Sequence, residues 1–289
     1  MTILDINGCT ENMTSVPNTP RSTTPKVALF VTCLVNQFRP NVGFSAITLL
    51  EQAGCDVIVP TAQTCCGQPG YNNGLREAAQ ETAKSTIKLL EPYDYVVIPS
   101  GSCTGMLSKH YPQLLSHDKA WKKRADKLSN KTWELCQFLV ECLDVTLPTH
   151  SELEGKTISY QDSCSCKREL KNTSAPRQLI NQLCTGSNLA ELSDPESCCG
   201  FGGTFSVKYP DISTRLVSDK TQDIQDSGAD MLVSADLGCL MNIAGYVSRM
   251  KTAPVEVRHI AEILANNLNT PSMTSGTQDN SSPSGSTQW

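Results

Sequence analysis

AQTCCGQPG (62–70) and ESCCGFGG (196–203) decide the reading of this chain, because each places two adjacent cysteines and a glycine between a β-rich run and a helical one. Reading outward from the first, Cys33 lies about thirty residues upstream of Cys65-Cys66-Gly67, and Cys103 lies under forty residues downstream. The second stretch repeats the pattern with Cys164, Cys198-Cys199-Gly200 and Cys239. Corresponding cysteines are 131, 133, 133 and 136 positions apart in chain order. Offsets this steady identify an internal duplication.

The segments around these cysteines carry the same order of elements in both copies. Strands are expected at VALFVTC (27–33), DVIVP (56–60) and YVVIPS (95–100), with helices over about 43–53, 74–91 and 120–143. The second copy has strands at TISYQD (157–162), NLAELS (188–193) and DMLVSA (230–235), with helices near 174–184 and 211–227. Short β-rich runs alternating with amphipathic helices predict α/β architecture: two tandem, pseudo-symmetric units with mainly parallel sheets. The expected organisation is a first unit at 25–146, a linker at 147–155 and a second unit at 156–269. Residues 1–24 and 270–289 are polar, rich in Ser, Thr, Asn and Pro, and read as disordered tails.

In such a fold each copy brings four thiols to the C-terminal ends of three successive strands, where the loops of an open sheet converge and ligand sites form. Fourteen cysteines in 289 residues is a high count, and neither a basic n-region nor an apolar run opens the chain. The expectation is therefore a cytoplasmic protein, where clustered thiols point to metal or redox chemistry rather than disulfides. Four cysteine thiolates per unit are the donor set of an iron–sulfur cluster. The assignment is Cys33, Cys65, Cys66 and Cys103 to one cluster, and Cys164, Cys198, Cys199 and Cys239 to a second. Four thiolates could also hold zinc, although zinc sites usually draw on close Cys-x-x-Cys pairs and neither unit has one. Burial as small apolar residues is the remaining alternative for these eight.

Among the other cysteines, Cys55, Cys136, Cys142 and Cys184 are read as packing residues, and Cys9 as an exposed thiol of the N-terminal tail. Cys166 is read as a solvent-side thiol, with a substitute cluster ligand as its alternative. GFGGT (200–204) superficially suggests a phosphate loop, but the first strand leads into TCLVNQF, which has no glycine, so the glycines are assigned to shaping the cluster loop. His110, Lys208 and Arg168 are read as solvated surface groups. A net charge of -5 gives no attraction to nucleic acid, and no run reaches bilayer length.

The pattern resembles that of the cysteine-rich, or CCG, domain found in heterodisulfide reductase B subunits and in the glycolate oxidase iron–sulfur subunit. Its wording is closer to the lactate utilization protein A family, in VALFVTCLVNQFRPNVG, QTCCGQPGYNNG, VIPSGSCTGM, SCCGFGGTFSVKYPDIS, LGCLMNI and RHIAEILA, over roughly residues 26–266. The resemblance implies one or two iron–sulfur clusters of the [4Fe-4S] type in an electron-transfer subunit of an L-lactate-oxidising complex feeding the respiratory chain. It further implies a larger iron–sulfur partner, a third small subunit, and membrane association only through partners. Two departures stand out. Ser100 and Asp236 occupy positions where the heterodisulfide reductase pattern has a fifth cysteine, and Gln161-Asp162-Ser163-Cys164-Ser165 replaces a usual His-Asp-Ser-Cys-His. Thiol–disulfide reduction and a zinc-stabilised scaffold are the rival functions.

Overall fold

A computed structural model describes residues 24–183, 188–250 and 255–275. The expected tail residues 1–23 and 276–289, with Cys9 and Cys184, lie outside the described residues. Two four-stranded sheets form, both fully parallel. The first contains β1 (Lys26–Leu29), β2 (Asp56–Ile58), β3 (Tyr95–Ile98) and β4 (Thr132–Glu134) in the order β2-β1-β3-β4. The second contains β5 (Thr157–Tyr160), β6 (Asn188–Ala190), β7 (Met231–Ser234) and β8 (Glu256–His259) in the equivalent order β6-β5-β7-β8. The duplication and the α/β class expected from the cysteine spacing are thus present in the topology.

Because β1 pairs with both β2 and β3, the chain leaves β1 towards one side and returns on the other, which opens a crevice at the C-terminal strand ends. The same switch occurs at β5. Val27, Ala28, Leu29, Val96, Val97 and Ile98 are completely buried, as strands covered on both faces require. The covering helices follow from the sequence: Arg76–Leu90 buries Ala79, Ala83, Ile87 and Leu90 on one stripe, and Pro210–Asp226 buries Val217, Thr221 and Ile224.

The fourth strand of each sheet was not legible from the sequence. Residues 120–143, expected as one helical stretch, form a helix at Lys119–Ser129, then β4, then helical turns from Leu135. Apolar residues at 128, 133, 135, 136, 138 and 139 imitate helical spacing across the break. Asn130 ends the first helix, and Glu134 accepts from the amides of Cys136 and Gln137 to start the next. β8 likewise depends on pairing with β7 for its existence.

The two halves are joined closely. Helix Pro40–Gln52 lies on helix Ile260–Leu264, where Arg39 donates through Nε to the buried Glu262 carboxylate at 2.9 Å. The 147–155 segment packs on the second half: His150 N–H donates to Leu183 O and Leu153 is buried. Packing also continues beyond 270, where a tail was expected. Met273 N–H donates to Val257 O, and Ser272 and Thr274 are buried beside β8. Among the described residues no helix is long and apolar enough to cross a membrane.

Candidate metal centre

The cysteines of the sequence pattern lie in the segments that follow the strand ends, and local capping holds the turns of Cys33, Cys103 and Cys164. Thr32 accepts from Val35 N–H at the start of helix Cys33–Phe38, and Ser163 accepts from Cys166 N–H in the equivalent turn after β5. Ser100 accepts from Cys103 N–H at the start of helix Gly101–Gly105. The Cys-Cys-Gly turns need a left-handed residue, supplied by Gly67 at φ 83° and Gly200 at φ 79°. This conformation directs the glycine amides at sulfur: Gly67 N–H reaches Cys65 Sγ at 3.4 Å, and Gly200 N–H reaches Cys198 Sγ at 3.3 Å. The carbonyl of the second cysteine in each pair is held from the helix after the third strand, by Tyr111 Oη on Cys66 O and Asn242 Nδ2 on Cys199 O, both at 2.8 Å.

The structure brings all eight pattern cysteines to the wall of one cleft of ≈ 270 Å³ between the halves. Within each half the thiols touch in series. Cys65 accepts hydrogen bonds from Cys33 and Cys66, which with Gly67 N–H hold its thiol far below the ordinary range despite partial burial. Cys33, as donor to Cys65 and partly buried, is pushed far up, and so is Cys66 between Cys103 and Cys65. Cys198 is likewise driven down by Cys164, Cys199 and Gly200 N–H, while Cys164 and Cys199 rise. Two equivalent sets of four sulfur donors, each with one thiolate-favouring member and an amide aimed at sulfur, fit iron–sulfur ligation by donor chemistry. Among the described residues no three His, Cys, Asp or Glu side chains are grouped to hold a metal ion.

Between the two sets lies a polar contact not foreseen from sequence. Asp236 sits at the N-terminus of helix Leu237–Val247 but does not cap it. Its Oδ1 instead accepts from Ser100 Oγ and Ser102 Oγ, each at 2.7 Å, and its carboxylate also faces Ser102 N–H. Ser100 and Asp236, the two departures from the five-cysteine pattern, therefore bind one another across the halves. Ser102, Tyr111 and Asn242 carried no sequence signal beyond their distance from a cysteine.

Cys166 requires a correction. It is completely buried rather than solvent-side, and a Cβ built on Gly101 would lie 2.2 Å from its Sγ. Burial pushes its thiol up, and Asp236 and Glu134 add to that. Cys136 is buried as expected, as is Cys55. Cys142 is partly buried against the core. His110 is not a free surface group: its Nε2 lies 3.2 Å from Glu169 Oε2 of the other half, and its ring lies against Tyr71. Lys208 Nζ donates to Asn73 Oδ1 across the halves at 2.6 Å. Arg168 is exposed beside Glu196, yet its charge favours the thiolates of Cys164 and Cys198.

This arrangement, one α/β unit with its strand-end thiols repeated around a common cleft, defines a class of tandem cysteine-rich-domain proteins. The family described as cysteine-rich domain matches residues 27–108 and 158–244. Lactate utilization protein A of Shouchella clausii is 47% identical over 241 residues, covering 82% of this chain and 98% of the relative. That of Halalkalibacterium halodurans is 46% identical over 239 residues, 83% and 96% of the two chains. That of Macrococcus caseolyticus is 46% identical over 243 residues, 84% and 97%. The chain belongs to the lactate utilization protein A family.

Proposed function

We propose that this protein is the iron–sulfur electron-transfer component of a multi-subunit system that oxidises L-lactate or a related 2-hydroxy acid and passes electrons towards the respiratory chain. The observation that carries the reading is the placement of eight thiols, as two equivalent sets of four, on one interfacial cleft. Cys33, Cys65, Cys66 and Cys103 hold one cluster, and Cys164, Cys198, Cys199 and Cys239 hold the other, both of the [4Fe-4S] type. Such a cluster supplies one-electron storage and transfer when bound. The chain's own groups orient the sulfur donors: Gly67 and Gly200 donate amide N–H groups to sulfur, Tyr111 and Asn242 fix the Cys-Cys turns, and Asp236 ties the loops of Cys103 and Cys239 together.

The names of the relatives support lactate as the substrate of the system. Hydride-type oxidation of a hydroxy acid needs a flavin or nicotinamide, and the resemblance to the family implies the partners that complete the reaction, a larger iron–sulfur protein and a third small subunit. The test is anaerobic isolation with iron, acid-labile sulfide and zinc quantification. Iron and sulfide in comparable amounts are expected, with Cys66→Ser and Cys199→Ser each losing about half the iron and Cys136→Ala losing none. A colourless protein that reconstitutes only with zinc refutes the reading in favour of a zinc-stabilised scaffold. Loss of all iron from either single variant refutes separate ligand sets.

The common cleft gives one rival specific support. A disulfide lodged there could reach both thiol sets, as a thiol–disulfide reductase of heterodisulfide type requires. Spectral change of the iron-loaded protein on adding a disulfide, with none on adding lactate, would favour that alternative.

A further inference from the structure

Glu134 lies outside the thiol sets and has no part in the function proposed above. It is completely buried at the end of β4, where that strand meets the second half. Its Oε2 accepts from Cys136 N–H at 2.9 Å, Gln137 N–H at 3.1 Å and Asn172 Nδ2 at 2.8 Å, the last across the halves. Its Oε1 meets no N–H or O–H donor among the described residues, although the Cys136 thiol lies against the carboxyl, and the nearby Asn172 Oδ1 and Tyr160 Oη have no partner there either. Buried polar atoms are rarely left so, and several around one carboxyl need an explanation. A proton on Oε1 supplies a donor where the ionised form has only acceptors.

We propose that Glu134 is the proton-exchanging group of electron transfer through the cleft: one proton from solvent binds Oε1 as an electron arrives from a one-electron donor, and both leave on reoxidation. The proposal rests on the iron–sulfur reading above. The groups that face Glu134 from the elements around it are Cys136 on its own segment, Tyr160 on β5, Cys166 after β5, and Asp236 after β7. Asp162, one step further out, is neutralised by Arg177 at 2.8 Å. Asp236 lines the cleft, accepts from Ser102, the neighbour of Cys103, and acts electrostatically on Glu134, so Asp236 is the link through which charge in the cleft is felt at Glu134. Burial, with a smaller push from Asp236, raises its carboxyl to about 7, where added negative charge in the cleft changes its protonation at neutral pH. Because reduction raises the affinity of Glu134 for its proton, the midpoint potential must fall as pH rises from the oxidised-state to the reduced-state pKa, and level off above it.

The test is an anaerobic redox titration of the iron-loaded full chain, followed by visible absorbance, from about pH 5 to about pH 9. Full coupling of one proton to one electron means a tenfold change per pH unit, about 59 mV for a one-electron couple. The wild type is expected to show a falling potential, up to that slope, between the oxidised-state and reduced-state pKa of Glu134 and to level off on either side, and Glu134→Gln to be flat. Asn172→Ala, which removes a donor to the ionised carboxylate, should move the inflection to higher pH and serves if Glu134→Gln does not fold. Infrared difference spectra of the wild type should show a protonated-carboxyl band gained on reduction. A pH-independent wild-type potential, or the same slope in Glu134→Gln, overturns the proposal while leaving the clusters in place. An iron-free protein overturns the iron–sulfur reading and the proposal with it.

Discussion

Gly101→Ala tests the join between the halves at its tightest point. Gly101 has no positive φ, so alanine meets no backbone strain, and in an open helix it would gain about 0.5–1 kcal/mol over glycine. Here the new Cβ would lie 2.2 Å from Cys166 Sγ, 3.0 Å from Asp236 Oδ2 and 3.1 Å from Ser163 Oγ. Cys166 is fully buried and its loop is fixed by the Ser163 contact, so the sulfur cannot simply swing away. Overpacking of this kind costs about 1–3 kcal/mol, which outweighs the propensity gain. Cys166→Ala alone should cost about 1 kcal/mol through the void it leaves. In the double variant the two changes compensate, with an interaction energy of about -1 to -2 kcal/mol. The assay is equilibrium urea unfolding of the four proteins without metal, under reductant. A Gly101→Ala protein as stable as the wild type, or strictly additive effects, would refute the close approach of these two loops. Iron content of Cys166→Ala, measured alongside, should equal that of the wild type.

The Cys-Cys-Gly turns should differ in tolerance: both Gly67→Ala and Gly200→Ala pay about 1–2 kcal/mol of left-handed strain, but only at Gly200 would the Cβ also clash with backbone, Ser213 O at 2.6 Å, whereas the nearest atom at Gly67 is the Thr82 methyl at 3.2 Å. Urea midpoints should therefore rank Gly200→Ala as the less stable. Asp236→Ala removes the acceptor that ties Ser100 and Ser102 to the second half, leaving them only each other's hydroxyls, and should cost about 1–3 kcal/mol, with iron lost from both halves rather than one. Two buried groups give opposing pH dependences. Glu134, raised by burial from 4.5 to about 7, stabilises the fold below pH 4.5, and that stability is lost as pH rises through 7. His259, lowered by burial from 6.5 to about 4, stabilises above pH 6.5, and that stability is lost as pH falls through 4. Each amounts to about 3 kcal/mol at one pKa unit per 1.36 kcal/mol. Urea unfolding at several pH values should show a shallow wild-type profile, acid lability in Glu134→Gln, and loss of stability with rising pH in His259→Asn.

The sequence by itself determined the duplication, the α/β class and the eight thiols, because these depend on local signals. Strand ends followed by cysteine, left-handed turns that demand Gly67 and Gly200, and matched offsets between copies are all readable along one dimension. β4 and β8 were not, since a three- or four-residue edge strand is made by its pairing with β3 or β7 and not by its own residues. Residues 270–275 were misjudged for a related reason: Ser272 and Thr274 are polar, and their partners are Val255 and Val257 at the start of β8 and each other's hydroxyls, a pairing that forms only in the fold. Tertiary structure alone decided that the two thiol sets share a cleft, that Asp236 reaches across to Ser100 and Ser102, and that Cys166 and Glu134 are sealed between the halves. Contacts across a duplicated interface join residues more than thirty and often more than a hundred positions apart. No periodicity or motif encodes such pairs, because the free energy that selects them comes from burial and hydrogen bonding available only once both halves have folded against each other.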